Sequence, residues 1–357
     1  MQLGIIGLPQ SGKTTLFNAL TGGHIPTEIS GGKMEVHTAV VDVPDDRVDQ
    51  LNELFSPKKV VHAKVTYADI AGLEGKGAAS GISGQLLNTL SQMDGYIHVV
   101  RHFTNDSVPH FAGRVDPLRD LANMESELIL NDLIQVERKL ERLENERQRG
   151  GVGKDKLQIE HEHSLFQKLH DLLSQEIPLR NEIFTPEEEN ILSSYGFLSL
   201  KPQLIVVNQS EDQEPFTIEM PFVKTIGVCL PARLEMDIAQ LPEQEVKEFL
   251  AEYDIEEPSL NRFIRLSYDL LGLISFFTAA EKEVHAWTIQ HGTNARQAAG
   301  VIHSEMEKGF IRAEVVPVET LVELGGYSQA RSQGKLRLEG KQYIVQDGDV
   351  LTIRFNL

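Results

Sequence analysis

Eight residues near the amino terminus, Gly7-Leu8-Pro9-Gln10-Ser11-Gly12-Lys13-Thr14, constrain this chain more than any other stretch. They satisfy the pattern G-x-x-x-x-G-K-[ST] in full. The apolar run Gln2-Leu3-Gly4-Ile5-Ile6 ahead of them has the length of a buried parallel strand. Behind them, Thr15-Leu16-Phe17-Asn18-Ala19-Leu20 has helical composition and stops at Gly22-Gly23. Strand, glycine-bracketed loop and helix turn a row of backbone N–H groups inward and aim a helix N-terminus at an anion. Gly7 and Gly12 let the chain turn tightly and let phosphate approach the backbone. Lys13 can span the β- and γ-phosphates and the Thr14 hydroxyl can ligate Mg²⁺, while Pro9, Gln10, Ser11 and Thr15 complete the cradle. The implied ligand is a nucleoside triphosphate, and the implied fold is α/β with a mainly parallel sheet.

Length and charge set the frame for the rest. The 357 residues suffice for two or three domains, and 41% hydrophobic with 24% charged residues is ordinary for a globular chain. A net charge of −19 argues against wholesale coating of nucleic acid and leaves room for one local basic face. The single cysteine, Cys229, excludes an internal disulfide framework. With no apolar run of membrane length and no leader ahead of the P-loop, the expectation is a cytoplasmic protein.

Residues 21–46 follow the first βα unit, rich in Gly, Pro, Thr and His, where a loop ordered by the γ-phosphate sits in switch-type NTPases. Thr27 and Thr38 are both candidate Mg²⁺ ligands there. Next, Lys64-Val65-Thr66-Tyr67-Ala68 reads as a strand delivering Asp69 at its carboxyl end, the position of a Mg²⁺-holding aspartate. Three residues on, the Gly72 N–H is placed to bond the γ-phosphate, and Gly75, Gly77, Gly81 and Gly84 suit a second switch. Met93 to Val100 resumes the sheet.

From Pro117 the texture changes to a stripe of Ile129, Leu133, Val136, Leu140 and Leu143, then a glycine tip at 150–153, then Leu165, Leu169 and Leu172 with Phe166 and Leu173 one face over. That spells an antiparallel αα-hairpin inserted into the nucleotide domain. His161 and His163, two apart on a helix, face different ways and are read as solvated. The sheet returns at Gln203 to Val207, which delivers Asn208-Gln209-Ser210-Glu211, and at Phe222 to Val228, which delivers Cys229-Leu230. Both strand-end loops lie where a parallel sheet keeps its ligand loops, which makes Asn208, Gln209, Glu211, Cys229 and Leu230 candidate nucleotide-binding residues. The last stretch has an alternating strand over 284–289, a helix capped by Thr293, and short strands at Gln342 to Val345 and Val350 to Phe355, a β-grasp pattern. Arg331, Lys335, Arg337 and Lys341 make a basic spot there, for which a solvated face is the default. The expected division is a nucleotide domain over 1–116 and 200–273, a helical domain over 117–199 and a carboxyl-terminal domain over 274–357.

Together the P-loop, Asp69-Ile70-Ala71-Gly72-Leu73, Asn208-Gln209-Ser210-Glu211, the inserted hairpin and the closing stretches 305–315 and 338–350 resemble the YchF subfamily of Obg-type P-loop NTPases over essentially the whole chain. The resemblance implies a G domain, a helical domain and a ubiquitin-like TGS domain, with ATP and Mg²⁺ as cofactors. It further implies a monomer that associates with the large ribosomal subunit and contacts RNA through the TGS and helical domains, Arg331, Lys335 and Arg337 contributing. Most GTPases carry N-K-x-D, whose Asp accepts two hydrogen bonds from guanine. Here Gln209 replaces the Lys and Glu211 carries its carboxylate one methylene further, which should forfeit guanine selectivity. The family's N-x-x-E loop goes with ATP over GTP, and a GTP-specific switch is the alternative.

Leu73 stands where many GTPases have a water-orienting Gln and can neither accept nor donate, so turnover should be slow unless another group serves. The family points to a histidine on a mobile loop, and His110 occupies the matching place. Lys13, Gly72 and His110 are therefore the candidate catalytic residues, and Thr14, Asp69 and Thr38 the candidate metal ligands. One departure stands out: the Thr that usually senses Mg²⁺ in the first switch aligns with Lys33. A metabolic P-loop kinase fits poorly, because no Arg-rich lid follows the nucleotide core.

Overall fold

A computed structural model of the chain describes residues 1–23, 36–70, 84–110, 112–148, 156–214, 216, 225–252 and 257–356. Its strands are β1 (Gln2–Ile6), β2 (Val36–Asp42), β3 (Val60–Val61), β4 (Lys64–Ile70), β5 (Gly95–Arg101), β6 (Gln203–Asn208) and β7 (Thr225–Leu230). They continue with β8 (Leu273–Ala279), β9 (Val284–Gln290), β10 (Phe310–Pro317), β11 (Arg337–Glu339) and β12 (Asp349–Phe355). The chain divides into two compact units, one of residues 1–39 and 66–260, the other of residues 40–65 and 261–357.

The first unit is built on the sheet β2-β4-β1-β5-β6-β7. The pairs β4–β1, β1–β5, β5–β6 and β6–β7 are all parallel. Strands covered on both faces are continuously apolar, and β5 and β6 are buried at every position. Parallel pairing has a functional consequence: every strand releases its following loop at the same edge of the sheet. The P-loop after β1, Asp69 near the end of β4, Arg101 closing β5, Asn208 closing β6 and Leu230 closing β7 therefore share one edge.

The inserted hairpin is as its sequence stripe predicts. Helices Pro117–Gln148 and Lys156–Ser174 pack on each other, with Val136, Leu143, Leu165, Phe166, Leu169 and Leu173 buried and Leu133, Leu140 and Leu172 partly so. A buried polar group sits at its base. Arg180, fully buried, bonds Glu125 on the long helix, Gln203 Oε1 on β6 at 3.0 Å and the Ser199 carbonyl at 3.1 Å. Asp132 accepts the Leu198 and Ser199 amides at 2.8 and 2.7 Å. His161 is exposed, as read.

The second unit is a β-grasp sheet in the order β11-β10-β12-β8-β9-β3. Its outermost strand is a surprise, because residues 40–65 come from between β2 and β4 and sequence reading leaves them with the nucleotide domain. Val60 and Val61 pair parallel with Val284 and His285. The helix Asp46–Phe55 sends Arg47 to Asp347 at 2.7 Å and over the Phe277 ring at 5.1 Å. A two-residue strand carries too little periodicity to be seen in a sequence.

Two finer expectations are corrected. The helix Ala295–Ile302 is capped by Asn294 with Gln297 in a capping box, while Thr293 bonds the Gln290 carbonyl and shapes the turn before it. Gln342 to Val345 forms only a bridge between Ile344 and Asn294, and the strand that completes the sheet is β11. Arg331 bonds Glu314 at 3.1 Å and Arg337 the Tyr343 hydroxyl at 3.0 Å, and all four of Arg331, Lys335, Arg337 and Lys341 are exposed.

Candidate functional site

The P-loop departs from β1 with Gly7 at φ 147° and enters the helix Lys13–Thr21 through Gly12 at φ 99°. Both glycines are obligatory for space as well as for φ. A Cβ on Gly7 would run into the Val99 carbonyl, and one on Gly12 into the Asn208 side-chain amide. Between them Gln10 holds φ 60°, a left-handed conformation rare for a side-chain-bearing residue and typical of functional loops. Lys13 is buried, its ammonium donating to the carbonyls of Gly7 and Leu8 at 3.0 Å each. It thus lies along the loop that it would bridge to a phosphate. Pro9 and Thr15 are half-buried on either side.

Thr14 and Asp69 are brought together. The Thr14 hydroxyl donates to Asp69 Oδ2 at 2.8 Å, and Asp69 is 1% exposed. Burial pushes the Asp69 carboxyl above its ordinary pKa, against the Thr14 bond and the positive charges of Lys13 and His37. Asp69 Oδ1, Ser11 Oγ and Gln10 Oε1 are buried with no hydrogen-bond partner among the described residues. Buried orphan oxygens are costly unless a ligand or ion satisfies them. Burial that raises the Asp69 carboxyl disfavours its charge in the absence of a cation, so the group is a candidate to meet one. The residues present fit nucleotide phosphates and one Mg²⁺: one carboxylate, one hydroxyl, an ammonium and a ring of amides. Among the described residues no cluster of three His, Cys, Asp or Glu could hold a metal by itself, as expected when phosphates and waters supply the remaining ligands.

The structure does not bring Thr38 to that centre. It is exposed on β2, and its neighbour His37 is the residue whose charge reaches Asp69. Successive strand side chains point to opposite faces, so the two cannot share a target. Gly72, Leu73, Thr27 and Lys33 lie outside the described residues.

The base-loop residues divide. Asn208, buried at the end of β6, donates from Nδ2 to the Ser11 carbonyl at 2.9 Å and accepts the Ala232 N–H on Oδ1 at 3.1 Å. It therefore locks the P-loop to the loop after β7. Gln209 spans its own loop, donating to the Gln213 carbonyl at 3.0 Å. Glu211 is exposed on the turn that follows. The Cys229 thiol donates to the Phe216 carbonyl at 3.1 Å and is pushed up in pKa by burial, which makes it a packing group and a poor nucleophile. Leu230 is buried and accepts the Gln209 N–H at 3.3 Å, fixing one strand-end loop to the other.

His110 departs from the picture of an exposed loop histidine. It is buried, with Nε2 2.8 Å from Asp120 Oδ2, and its Nδ1 accepts the Ala112 N–H at 3.1 Å. Arg119 in turn holds Asp120 Oδ1 at 2.7 Å. Sequence reading missed Asp120, Arg119 and Arg101. Arg101 was accessible by the rule that found Asp69 and Asn208, since it closes a parallel strand beside the P-loop.

Comparison with known proteins gives the family. Residues 2–139 match the family model MMR_HSR1, described as 50S ribosome-binding GTPase, and residues 273–356 match YchF-GTPase_C, described as a protein of unknown function. The chain is 41% identical to the "Ribosome-binding ATPase YchF" of Haemophilus influenzae and 40% identical to that of Bacillus subtilis, each over 99% of both chains. The structure of the Schizosaccharomyces pombe YchF GTPase superposes with a TM-score of 0.85 at 30% identity, covering 99% of this chain and 97% of that one.

Proposed function

Because this chain belongs to the YchF family of P-loop NTPases, we propose that it is a ribosome-binding ATPase, a switch that takes ATP with Mg²⁺ and hydrolyses it slowly. The observation that carries the reading is the Thr14–Asp69 pair beside a glycine cradle whose buried oxygens lack partners. Thr14 and Asp69 would hold Mg²⁺, which when bound would supply positive charge beside the γ-phosphate. Lys13 leaves the carbonyls of Gly7 and Leu8 for the β- and γ-phosphates. Asn208 keeps the P-loop in register with the base loops, and Gln209, Glu211, Cys229 and Leu230 border the base. By the sequence motif the Gly72 N–H would bond the γ-phosphate, and His110, once released from Asp120, would orient the water. Attack is direct, with no covalent enzyme intermediate.

The three-domain division read from the sequence supports a mechanism in which nucleotide state alters how the helical and TGS domains meet the large ribosomal subunit and its RNA. Arg331, Lys335 and Arg337, all exposed, are the basic groups suited to that contact. No described helix is long and apolar enough to cross a membrane. The reading places the chain in the cytoplasm as a monomer. A GTP-specific switch is the second reading, favoured by the GTPase description of the model matching residues 2–139. Titration of labelled ATP and GTP with and without Mg²⁺ separates the two. Under the ATPase reading Glu211→Asp moves preference toward GTP, and a guanine preference of about tenfold in the wild type refutes that reading. Single-turnover hydrolysis by His110→Ala at the wild-type rate would remove His110 from the mechanism.

A further inference from the structure

We propose that Arg101 is a positioning residue that couples the P-loop to the His110 loop and thereby sets the rate of γ-phosphate attack; this rests on the ATPase reading and on the role given there to His110. Arg101 is the last residue of β5 and is 2% exposed. Its guanidinium is spent on backbone carbonyls of two loops. Nη2 donates to Val108 at 2.6 Å, Nε to Phe103 at 3.2 Å, and Nη1 reaches Gln10 at 3.5 Å. The group also lies over the Phe103 ring, 4.4 Å from its centroid.

Burying a cation this way is expensive, and burial lowers its pKa, with the Asp120 charge acting in the opposite sense. Among the described residues Asp120 makes no hydrogen bond to Arg101; its two oxygens serve Arg119 and His110. An aliphatic side chain would fill a strand end at lower cost. What an aliphatic side chain cannot do is tie three carbonyls with one rigid fork. At one end that fork reaches Gln10, the P-loop residue at φ 60°. Peptide planarity means that fixing the Gln10 carbonyl also fixes the Ser11 N–H, which closes the P-loop turn on the Leu8 carbonyl at 3.3 Å and so holds the shape of the phosphate cradle. At the other end it closes a turn. Asn105 Oδ1 accepts the Ser107 N–H at 2.9 Å, the Val108 N–H bonds the Asn105 carbonyl at 3.1 Å, and Arg101 grips the carbonyls of Phe103 and Val108 that flank it. His110 follows two residues later. A change at the cradle is therefore transmitted through one side chain to the segment that carries the water-orienting imidazole.

Arg101→Gln and Arg101→Lys test this, with melting temperature as the check on folding. Lys keeps the charge and loses the fork, so it remains informative should the Gln variant fail to fold. Single-turnover hydrolysis at saturating Mg·ATP is expected to slow at least about tenfold in both, with ATP Kd changed less than about threefold. On a His110→Ala background, Arg101→Gln should cost no more than about a further twofold, because both changes break one device. Wild-type rates in the folded variants, or losses that multiply with that of His110→Ala, overturn the proposal. If His110→Ala is slow while the Arg101 variants are normal, the proposal alone falls. If His110→Ala is normal while Arg101→Gln is slow, the His110 reading and the proposed coupling fall together.

Discussion

Replacing Asn208 should damage the fold and the nucleotide site together, by an amount the structure allows one to work out. The side chain is 4% exposed and makes two bonds that no neighbour can take over. Its Nδ2 serves the Ser11 carbonyl at 2.9 Å. Its Oδ1 serves the N–H of Ala232, the first residue of the helix Ala232–Ile238, whose N-cap, Pro231, offers no side-chain bond. Asn208→Ala leaves both partners buried, and each buried partner left unmet costs about 1–3 kcal/mol. The sum, about 2–6 kcal/mol, is a large part of a typical stability of about 5–15 kcal/mol. Asn208→Asp is the sharper probe, being nearly isosteric. It keeps the Ala232 bond but sets a carboxylate oxygen against the Ser11 carbonyl, so it should be at least as damaging as Ala. Urea unfolding measures the first effect, with an unchanged m-value required. ATP titration measures the second, which should fall in parallel because the same bond holds the cradle. Glu211→Ala serves as the control, since an exposed change should move stability by less than about 0.5 kcal/mol. An Asn208→Asp protein within about 0.5 kcal/mol of wild type would refute the reasoning.

Two buried titratable groups should pull the acid stability of the first unit in opposite directions. Burial, with Arg180 and Lys13 nearby, lowers His98 from 6.5 to about 3, so the unfolded chain alone takes up this proton and stability is lost as pH falls below 6.5. Burial raises Asp132 from 3.8 to about 6, despite its amide bonds and Arg180, so the folded chain takes up that proton first and stability is gained as pH falls from 6 to 4. Each contributes a slope of up to about 1.4 kcal/mol per pH unit, and they largely offset between pH 6 and 4. His98→Gln should therefore show stability rising on acidification across that window relative to wild type, in urea titrations at fixed pH; parallel curves would contradict the assignment. At the hairpin base, Arg180→Leu strands Glu125 and should cost about 3–5 kcal/mol, while Arg180→Leu with Glu125→Leu should recover much of the loss. A neutral single variant, read by chemical denaturation, would show that the pair is not buried as described.

Much of this molecule was readable in one dimension because its chemistry sits on local patterns. The P-loop needs only a strand, two glycines and a helix start in sequence order, and all fall where the pattern puts them. The hairpin stripe and its burial agree because a helix repeats its face every three or four residues. Asp69 and Asn208 were found because a parallel sheet gathers its strand ends. Harder to see were groups defined by contact across the chain. Asp120 lies ten residues beyond His110, and no spacing rule says that a helix turn will seat the two within 2.8 Å.

By itself, then, the sequence determined the P-loop, the helical insertion and the β-grasp end, and singled out Thr14 and Asp69, which the structure brings together, because each follows from near-neighbour periodicity or from a short motif with a fixed mechanical purpose. Only the tertiary structure decided that residues 40–65 join the carboxyl-terminal unit, that Asn208 holds Ser11 and Ala232 at once, and that Arg101 grips two loops. Those facts depend on which groups meet after the chain has crossed itself, where hydrogen-bond reach and burial, and no repeat along the chain, determine the partner.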